Sequence, residues 1–117
     1  MASDPSIPAR ALILQTSANE DATVVRCTGR LTSETSSLLK VEVKALLPDK
    51  RRVILDLTEL AYMDSAGLGA LVGLYISAKK AGCELQLVNL SPRIRELLGV
   101  THLLSVFEAC GRQGTRF

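Results

Sequence analysis

A serine that directly follows an aspartate, Asp64-Ser65, is the residue pair in this chain best suited to chemistry. A hydroxyl can accept a phosphoryl group or act as a nucleophile, and here it is followed by the glycine-containing stretch Ala66-Gly67-Leu68-Gly69. Asp64 is a suitable N-cap for a helix beginning at Ser65, because a short polar side chain accepts hydrogen bonds from unpaired first-turn amides. The pattern predicts an exposed hydroxyl at the positive end of a helix.

Other reactive side chains are too few and too scattered to build a catalytic or metal site. The single histidine, His102, lies far along the chain from Ser65, and no G-x-S-x-G elbow surrounds the serine, which argues against a serine hydrolase. The glycines after the serine miss the dinucleotide-binding G-x-G-x-x-G spacing by one residue. Cys27, Cys83 and Cys110 form no C-x-x-C pair and are interpreted as small hydrophobic residues. We therefore expect no catalytic residue, no metal and no cofactor.

Phosphorylation of Ser65 would change what this surface can bind. A phosphate adds a charge of about −1.5 to −2, which the positive end of the residue's own helix tolerates. A partner seated on the same surface would instead have to desolvate that charge without a counter-ion, at a cost of several kcal/mol. The serine can thus act as a binding switch with no catalytic machinery of its own.

Length and composition support a single folded domain that does not bind nucleic acid directly. The 117 residues are 47% hydrophobic and 22% charged, with 14 basic residues against 12 acidic ones and a net charge of +2. Without Arg112 and Arg116, near the C-terminus, the remaining charges balance at 12 against 12. Such a body lacks the basic face of a nucleic-acid binder. We predict a cytoplasmic protein, since the N-terminus does not resemble a signal peptide and no segment is long enough to cross a bilayer.

The elements that must position the serine alternate between strands and helices. We predict the order ββαβαβα followed by a short final element over Leu103–Phe107, which is typical of an α/β domain with a mixed, mostly parallel sheet covered by helices. Residues 1–9 are assigned to a loose lead, 10–110 to the domain and 111–117 to a frayed tail. In this scheme Gly29 ends the second strand, and Thr32 or Ser33 caps the first helix.

Two features of the next segment are central to the prediction. Val53–Leu57 is almost continuously apolar, which indicates a central strand covered on both faces, and residues 58–64 are predicted to be a loop. Residues 65–80 are predicted to be a helix that ends at Gly82. Its core side is assigned to Leu68, Leu71, Val72, Tyr75 and Ala78, while Leu74 and Ile76 are candidates for exposed contacts. Gly69 and Gly73 lie on one helix face, and either tight packing on the sheet or close approach by a partner could explain them.

The segments Val53–Leu57 and Tyr62–Gly69 resemble the STAS domain of bacterial anti-sigma factor antagonists. Thr28–Leu31 and Leu87–Pro92 are similar to other segments of that family, and the match covers roughly residues 10–108. The resemblance implies that Ser65 is phosphorylated by a partner serine kinase of the ATPase-fold type, which is itself the anti-sigma factor. The unphosphorylated protein would bind that kinase and release the sigma factor, and a phosphatase would restore the bound state.

The resemblance also assigns residues to roles. The phosphosite loop comprises Asp64, Ala66 and Gly67, with Gly67 supplying backbone freedom. The expected partner surface comprises Thr32, Met63, Leu68, Gly69, Gly73 and Ile76. Many relatives have an acidic residue where this chain has Thr32, and Ser or Thr where it has Ala66, so Ser65 is the only acceptor in this loop. The alternative within the same fold is a scaffold, or an accessory subunit of a lipid transporter, without phosphorylation.

Overall fold

The computed structural model describes residues 11–18 and 22–100, and within them the chain alternates between strands and helices as expected. The elements in chain order are β1 (Leu12–Ala18), β2 (Thr23–Leu31), α1 (Ser36–Leu46), a single 3₁₀ turn (Leu47–Asp49), β3 (Arg52–Met63), α2 (Ser65–Ala81), β4 (Glu84–Val88) and α3 (Pro92–Val100). The described strands form one sheet in the order β1-β2-β3-β4. β1 is antiparallel to β2, and the other neighbours are parallel, which confirms the α/β class.

The prediction that Gly29 ends β2 is wrong, because the strand continues to Leu31. Gly29 adopts a φ of +115°, and the register with β3 shifts between Gly29 and Arg30. A β-carbon at Gly29 would overlap the backbone carbonyl of Ala11, so the glycine permits a close approach within an irregular ladder. After the register shift, β2 continues to pair with β3 through Arg30 and Leu31.

The predicted loop over residues 58–64 is also a strand for most of its length. β3 runs for 12 residues to Met63, and its second half pairs in parallel with the end of β2. Leu60 and Met63 are buried there, whereas Thr58 and Glu59 are exposed, so two of the seven residues of this segment contribute to the core. The long β3 extends the sheet to the start of α2, which fixes where Ser65 lies.

The core lies on one side of the sheet, where α1 and α2 contact each other. Val53, Leu55 and Leu57 of β3 are fully buried on this side, whereas Ile54 and Asp56, which point to the other side, are only partly buried. β3 is central within the described sheet as expected, and of the two faces that were expected to be covered, the one with Ile54 and Asp56 is covered only in part. Its Ile54–Asp56 side is a mixed polar and apolar surface.

Helix α1 does not begin at the predicted caps. Its N-cap is Thr35, which makes no side-chain capping hydrogen bond, and Leu39 and Val43 face the core. Leu38 and Val41 are 48% and 69% exposed although both side chains are apolar. These two residues leave an apolar strip on the outside of the helix.

Helix α2 matches its predicted range closely and ends at Gly82, whose φ of +74° is the left-handed conformation typical of a helix C-terminus. Leu74 is fully buried, which contradicts its assignment as an exposed contact, whereas Ile76 is 49% exposed as expected. Leu74 points inward because it follows Ala70 and Leu71, which are also buried, by one helical turn and so lies on the same face of α2.

Helix α3 begins as predicted at Ser91-Pro92. The Ser91 hydroxyl accepts a hydrogen bond from the Ile94 amide at 3.2 Å, and Ile94 and Leu98 are buried. The described part of the chain holds no helix long and apolar enough to cross a membrane. The expectations for residues 1–9, 111–117, Leu103–Phe107 and His102 fall outside the described residues.

Candidate functional site

Ser65 is the first residue of α2 and is exposed at the carboxyl end of β3. The backbone of Asp64 is extended, and its Oδ1 accepts a hydrogen bond from the Gly67 amide at 3.0 Å. This bond satisfies one of the amides that a helix start leaves unpaired, so the predicted capping role of Asp64 is confirmed. The cap fixes the first turn and leaves the neighbouring hydroxyl directed away from the core.

The start of α2 is also fixed to the end of β2. The Leu31 carbonyl accepts a hydrogen bond from the Asp64 amide at 3.2 Å, and Gly67 lies directly against that carbonyl. A β-carbon on Gly67 would overlap the Leu31 oxygen and would lie 2.9 Å from side-chain carbons of both Leu31 and Met63. The φ of Gly67 is not in the left-handed region, so the predicted need for backbone freedom does not explain this glycine. The glycine is required because a β-carbon has no room at this position.

A second turn, between β2 and α1, forms the neighbouring wall of the site. The Thr35 hydroxyl donates to the Arg30 carbonyl at 2.8 Å and accepts from the Thr32 amide at 2.9 Å. The Thr32 hydroxyl accepts from the Glu34 amide at 3.2 Å. Thr35 therefore holds the turn in place, a role that sequence reasoning missed although the Thr-x-x-Thr spacing is a visible signal for such a turn.

Arg30 and Tyr62 form the floor of the site between these two turns. They are paired in the parallel ladder of β2 and β3, and the Arg30 guanidinium lies 4.3 Å from the centre of the Tyr62 ring. A cavity of about 290 Å³ opens beside them. It is lined by Arg30, Thr32, Ser33, Glu34, Tyr62 and Asp64. Sequence reasoning missed Arg30 and Tyr62, because only the strand register brings them together.

Tyr62 also lines a second, more apolar cleft. This second cavity, of about 340 Å³, lies between the end of β3 and α3, with Ala61 and Tyr62 on one wall and Ile94 and Leu97 on the other. Tyr62 thus lines both cavities, and the second is lined by the charged Arg93 and Glu96 as well as by apolar residues. A protein partner covering Ser65 would meet both kinds of surface.

The residues predicted to bind a partner divide into two groups. Met63 and Leu68 are only 7% and 8% exposed and belong to the core, so their assignment to the partner surface is wrong. Their side chains lie beneath the start of α2, because the alternation of β3 and the turn of α2 direct them inward. Thr32, Gly69, Gly73 and Ile76 remain at least partly accessible.

The two central glycines of α2 lie on the side facing away from the core. A β-carbon on Gly69 or Gly73 would meet nothing within 4 Å, so tight packing against the sheet does not explain them. Ser65, Gly69 and Ile76 follow helical spacing and lie on one face of α2. The accessible face of α2 therefore consists of the Ser65 hydroxyl, the two glycines Gly69 and Gly73, and the exposed Ile76 side chain.

Ionisable groups outside this face have structural roles. Asp56 lies in β3, where burial favours its neutral form, but hydrogen bonds from the Thr58 hydroxyl (2.6 Å), Asn89 (3.1 Å) and the Thr58 amide (3.0 Å) outweigh this effect. With a further contribution from Arg26, 3.8 Å away, they hold the pKa of Asp56 below its ordinary value. These contacts tie β3 to the turn after β4.

The described cysteines are buried thiols. Burial, with a smaller contribution from the charge of Asp56, raises the pKa of Cys27 to about 12. Burial also raises the pKa of Cys83, against an opposing backbone hydrogen bond at Val53. Both thiols are therefore protonated at neutral pH, which agrees with their interpretation as small hydrophobic residues. Within residues 11–18 and 22–100 no group of His, Cys, Asp and Glu is arranged to hold a metal ion.

Comparison with known proteins places this fold and this helix start in a family. The family model described as STAS domain matches residues 14–115. An anti-sigma-B factor antagonist of Bacillus subtilis is 31% identical over 90 residues, which are 77% of this chain and 83% of that protein. The chain belongs to the STAS domain family and, within it, to the anti-sigma factor antagonists.

Solved structures show the same fold. The unphosphorylated form of the anti-sigma factor antagonist SpoIIAA superposes with a TM-score of 0.68 at 21% identity, covering 81% of this chain and 84% of that one. The phosphorylated form of the Bacillus protein SpoIIAA superposes with a TM-score of 0.65 at 20% identity, covering 83% and 87%. The predicted family and fold are thus confirmed.

Proposed function

We propose that this protein is a phosphorylation-gated binding module without enzymatic activity, and that Ser65 is its switch. Unphosphorylated, it binds an anti-sigma factor that is also a serine kinase of the ATPase-fold type, and so releases a sigma factor. Phosphorylation of Ser65 ends the binding, and a phosphatase restores it. The observation that carries the proposal is the exposed Ser65 hydroxyl on a helix start that Asp64, Gly67 and Leu31 hold in place.

The geometry explains why one phosphate would be sufficient. Ser65 lies at the head of the accessible face of α2, so a partner that covers Gly69 and Ile76 also covers the hydroxyl. A phosphate there brings a charge of about −1.5 to −2, and Asp64 already contributes a carboxylate at the adjacent position. The helix itself tolerates the phosphate, because a negative charge at its N-terminus is stabilised by about 0.3–1 kcal/mol. The domain therefore stays folded while its partner is repelled.

The relatives support this proposal. The similar Bacillus subtilis protein is named for antagonism of the anti-sigma-B factor, and SpoIIAA is known in both phosphorylated and unphosphorylated forms. Ala66 and Gly67 cannot accept a phosphoryl group, which leaves Ser65 as the hydroxyl at the start of α2. The expected acidic contact at Thr32 is missing, and the neighbouring Glu34 lines the same cavity.

The deciding experiment measures binding of the purified anti-sigma kinase to the wild-type protein, Ser65→Asp and Ser17→Asp. Ser17 is exposed in β1 and pairs with Val24, which pairs with Ile54 at the opposite end of the sheet from Ser65. We expect Ser65→Asp to weaken binding by at least tenfold and Ser17→Asp to bind like the wild type. Equal binding by all three proteins would refute the switch.

A second experiment locates the phosphate. The protein is incubated with the same kinase and ATP, and the modified residue is identified by mass spectrometry, with Ser65→Ala as the control. We expect one phosphate on Ser65 and none on the variant. Binding without any phosphorylation would instead favour the alternative of a STAS scaffold or transporter subunit.

A further inference from the structure

Arg30 carries a guanidinium whose hydrogen-bonding groups are not used by the rest of the described structure. It stacks over Tyr62 at 4.3 Å, and among the described residues it makes no ion pair with a carboxylate. Two acidic residues, Glu34 and Asp64, line the same cavity, but the Oδ1 atom of Asp64 is already hydrogen-bonded to the Gly67 amide. The guanidinium is thus stacked on a ring, and no described residue accepts a hydrogen bond from its side-chain donors.

Two contacts keep Arg30 in place before any partner arrives. The Thr35 hydroxyl donates a hydrogen bond to the Arg30 carbonyl at 2.8 Å, and the Arg30 amide donates to the Ala11 carbonyl at 3.1 Å. The Tyr62 ring then restricts the side chain, since a guanidinium over an aromatic face is stabilised by about 0.5–1 kcal/mol at exposed sites. A side chain already ordered in this way loses less entropy when it forms a contact.

We propose that Arg30 is a specificity-determining residue that pairs with a carboxylate of the anti-sigma partner, inside the cavity beside Ser65. This inference rests on the proposed function, because it assigns one chemical feature to the same partner. A planar guanidinium presents a fork of N–H donors that matches a carboxylate in two parallel hydrogen bonds. The Thr32 and Ser33 hydroxyls at the cavity wall add further donors for the same oxygen atoms.

The acidic residues of the cavity set a condition on this pairing. The charged residues that line the cavity are Arg30, Glu34 and Asp64, and their formal charges sum to −1. Long-range electrostatic attraction therefore does not favour the approach of an anion. The partner carboxylate must therefore gain its stability from direct contact with the guanidinium. The Oδ1 atom of Asp64 is already engaged by the Gly67 amide, whereas Glu34 belongs to the neighbouring turn. Removal of the Glu34 charge should accordingly strengthen the binding.

The test measures the affinity of the purified anti-sigma kinase for a small set of variants. A hydrogen-bonded contact with a charged group is worth about 1.5–3 kcal/mol, so Arg30→Gln should raise the Kd by about ten- to a hundredfold. Arg30→Glu should raise it further, and Arg30→Lys should lie between wild type and Arg30→Gln because the fork is lost. Arg51→Glu, an exposed position before β3 at the far end of the sheet, is the matched control and should bind like wild type.

Two further variants distinguish this proposal from its opposite. Glu34→Gln should tighten binding if the partner presents a carboxylate and weaken it if the partner presents a cation. Tyr62→Phe keeps the ring under Arg30 and should bind normally, whereas Tyr62→Leu removes the ring and should weaken binding by severalfold. Circular dichroism and urea unfolding of each variant show whether the fold is intact.

The outcomes separate this proposal from the proposed function. If Arg30→Gln and Arg30→Glu bind like the wild type while Ser65→Asp does not, Arg30 has no role in recognition and the Ser65 switch stands. Weaker binding of Glu34→Gln with unchanged binding of Arg30→Gln would overturn the assignment of a carboxylate. A wild-type protein that binds no such kinase would remove both proposals.

Discussion

Three glycines of α2 should respond in opposite directions to the same substitution by alanine. Gly67 lies against the Leu31 carbonyl, and an added β-carbon would overlap that oxygen and approach side-chain carbons of Leu31 and Met63 to 2.9 Å. Gly69 and Gly73 have open space where a β-carbon would go. The substitution therefore adds a clash at the first position and only helix propensity at the other two.

The size of each effect follows from these contacts. The Leu31 oxygen cannot move away easily, because it accepts the Asp64 amide at 3.2 Å, so relief requires a shift of the α2 N-terminus. Overpacking of this kind costs about 1–3 kcal/mol, and we expect Gly67→Ala to lose that much of the free energy of unfolding. Alanine is favoured over glycine inside a helix by about 0.5–1 kcal/mol, so Gly69→Ala and Gly73→Ala should each gain that amount.

Urea unfolding monitored by far-UV circular dichroism measures the free energy of unfolding of all three variants. The values can be compared directly if the dependence of that free energy on urea concentration is the same for each variant. Since 1 kcal/mol shifts the midpoint temperature of a domain this size by about 4 °C, thermal scans should show the same order. A Gly67→Ala variant as stable as the wild type, or destabilised Gly69→Ala and Gly73→Ala variants, would show that these contacts do not set the stability of α2. If the last two are more stable but bind the kinase less tightly, a partner backbone approaches α2 at these positions.

Further perturbations test the cap, the partly buried carboxylate of Asp56 and the core. Asp64→Ala should lower the free energy of unfolding by about 0.5–2 kcal/mol by urea titration, and Asp64→Asn should lose less, because the amide oxygen can still accept the Gly67 N–H. The pKa of Asp56 is lower in the folded state, so its stabilisation is present above the unfolded pKa of about 4 and is lost as the pH falls through the folded value. Urea midpoints of wild type and Asp56→Asn should therefore converge below that pH, and a constant gap would contradict the assignment. Leu74→Ala should lower the free energy of unfolding by about 2–5 kcal/mol, whereas Ile76→Ala on the exposed face should change it by less than about 0.5 kcal/mol.

Much of the fold could be predicted because local signals agreed with it. The apolar run at Val53–Leu57, the Asp64 cap and Gly82 each act within a few residues of their own position, so the order of elements and the range of α2 follow from the chain itself. The errors occurred where contacts distant in sequence decide the outcome. Gly29 lies in a strand because Ala11 approaches it, and residues beyond Leu57 extend β3 because the end of β2 is available for pairing.

Local sequence is enough to single out Ser65 as the candidate for the proposed switch, because only this residue combines a hydroxyl with a capping aspartate at a predicted helix start. The surroundings of Ser65 depend on contacts between residues far apart in the chain. Strand register placed Arg30 over Tyr62, the Leu31 carbonyl excluded any side chain at Gly67, and burial removed Met63 from the partner surface. A helix cap forms from neighbours in the chain, whereas a binding surface is assembled from strands whose pairing brings together residues more than 30 positions apart.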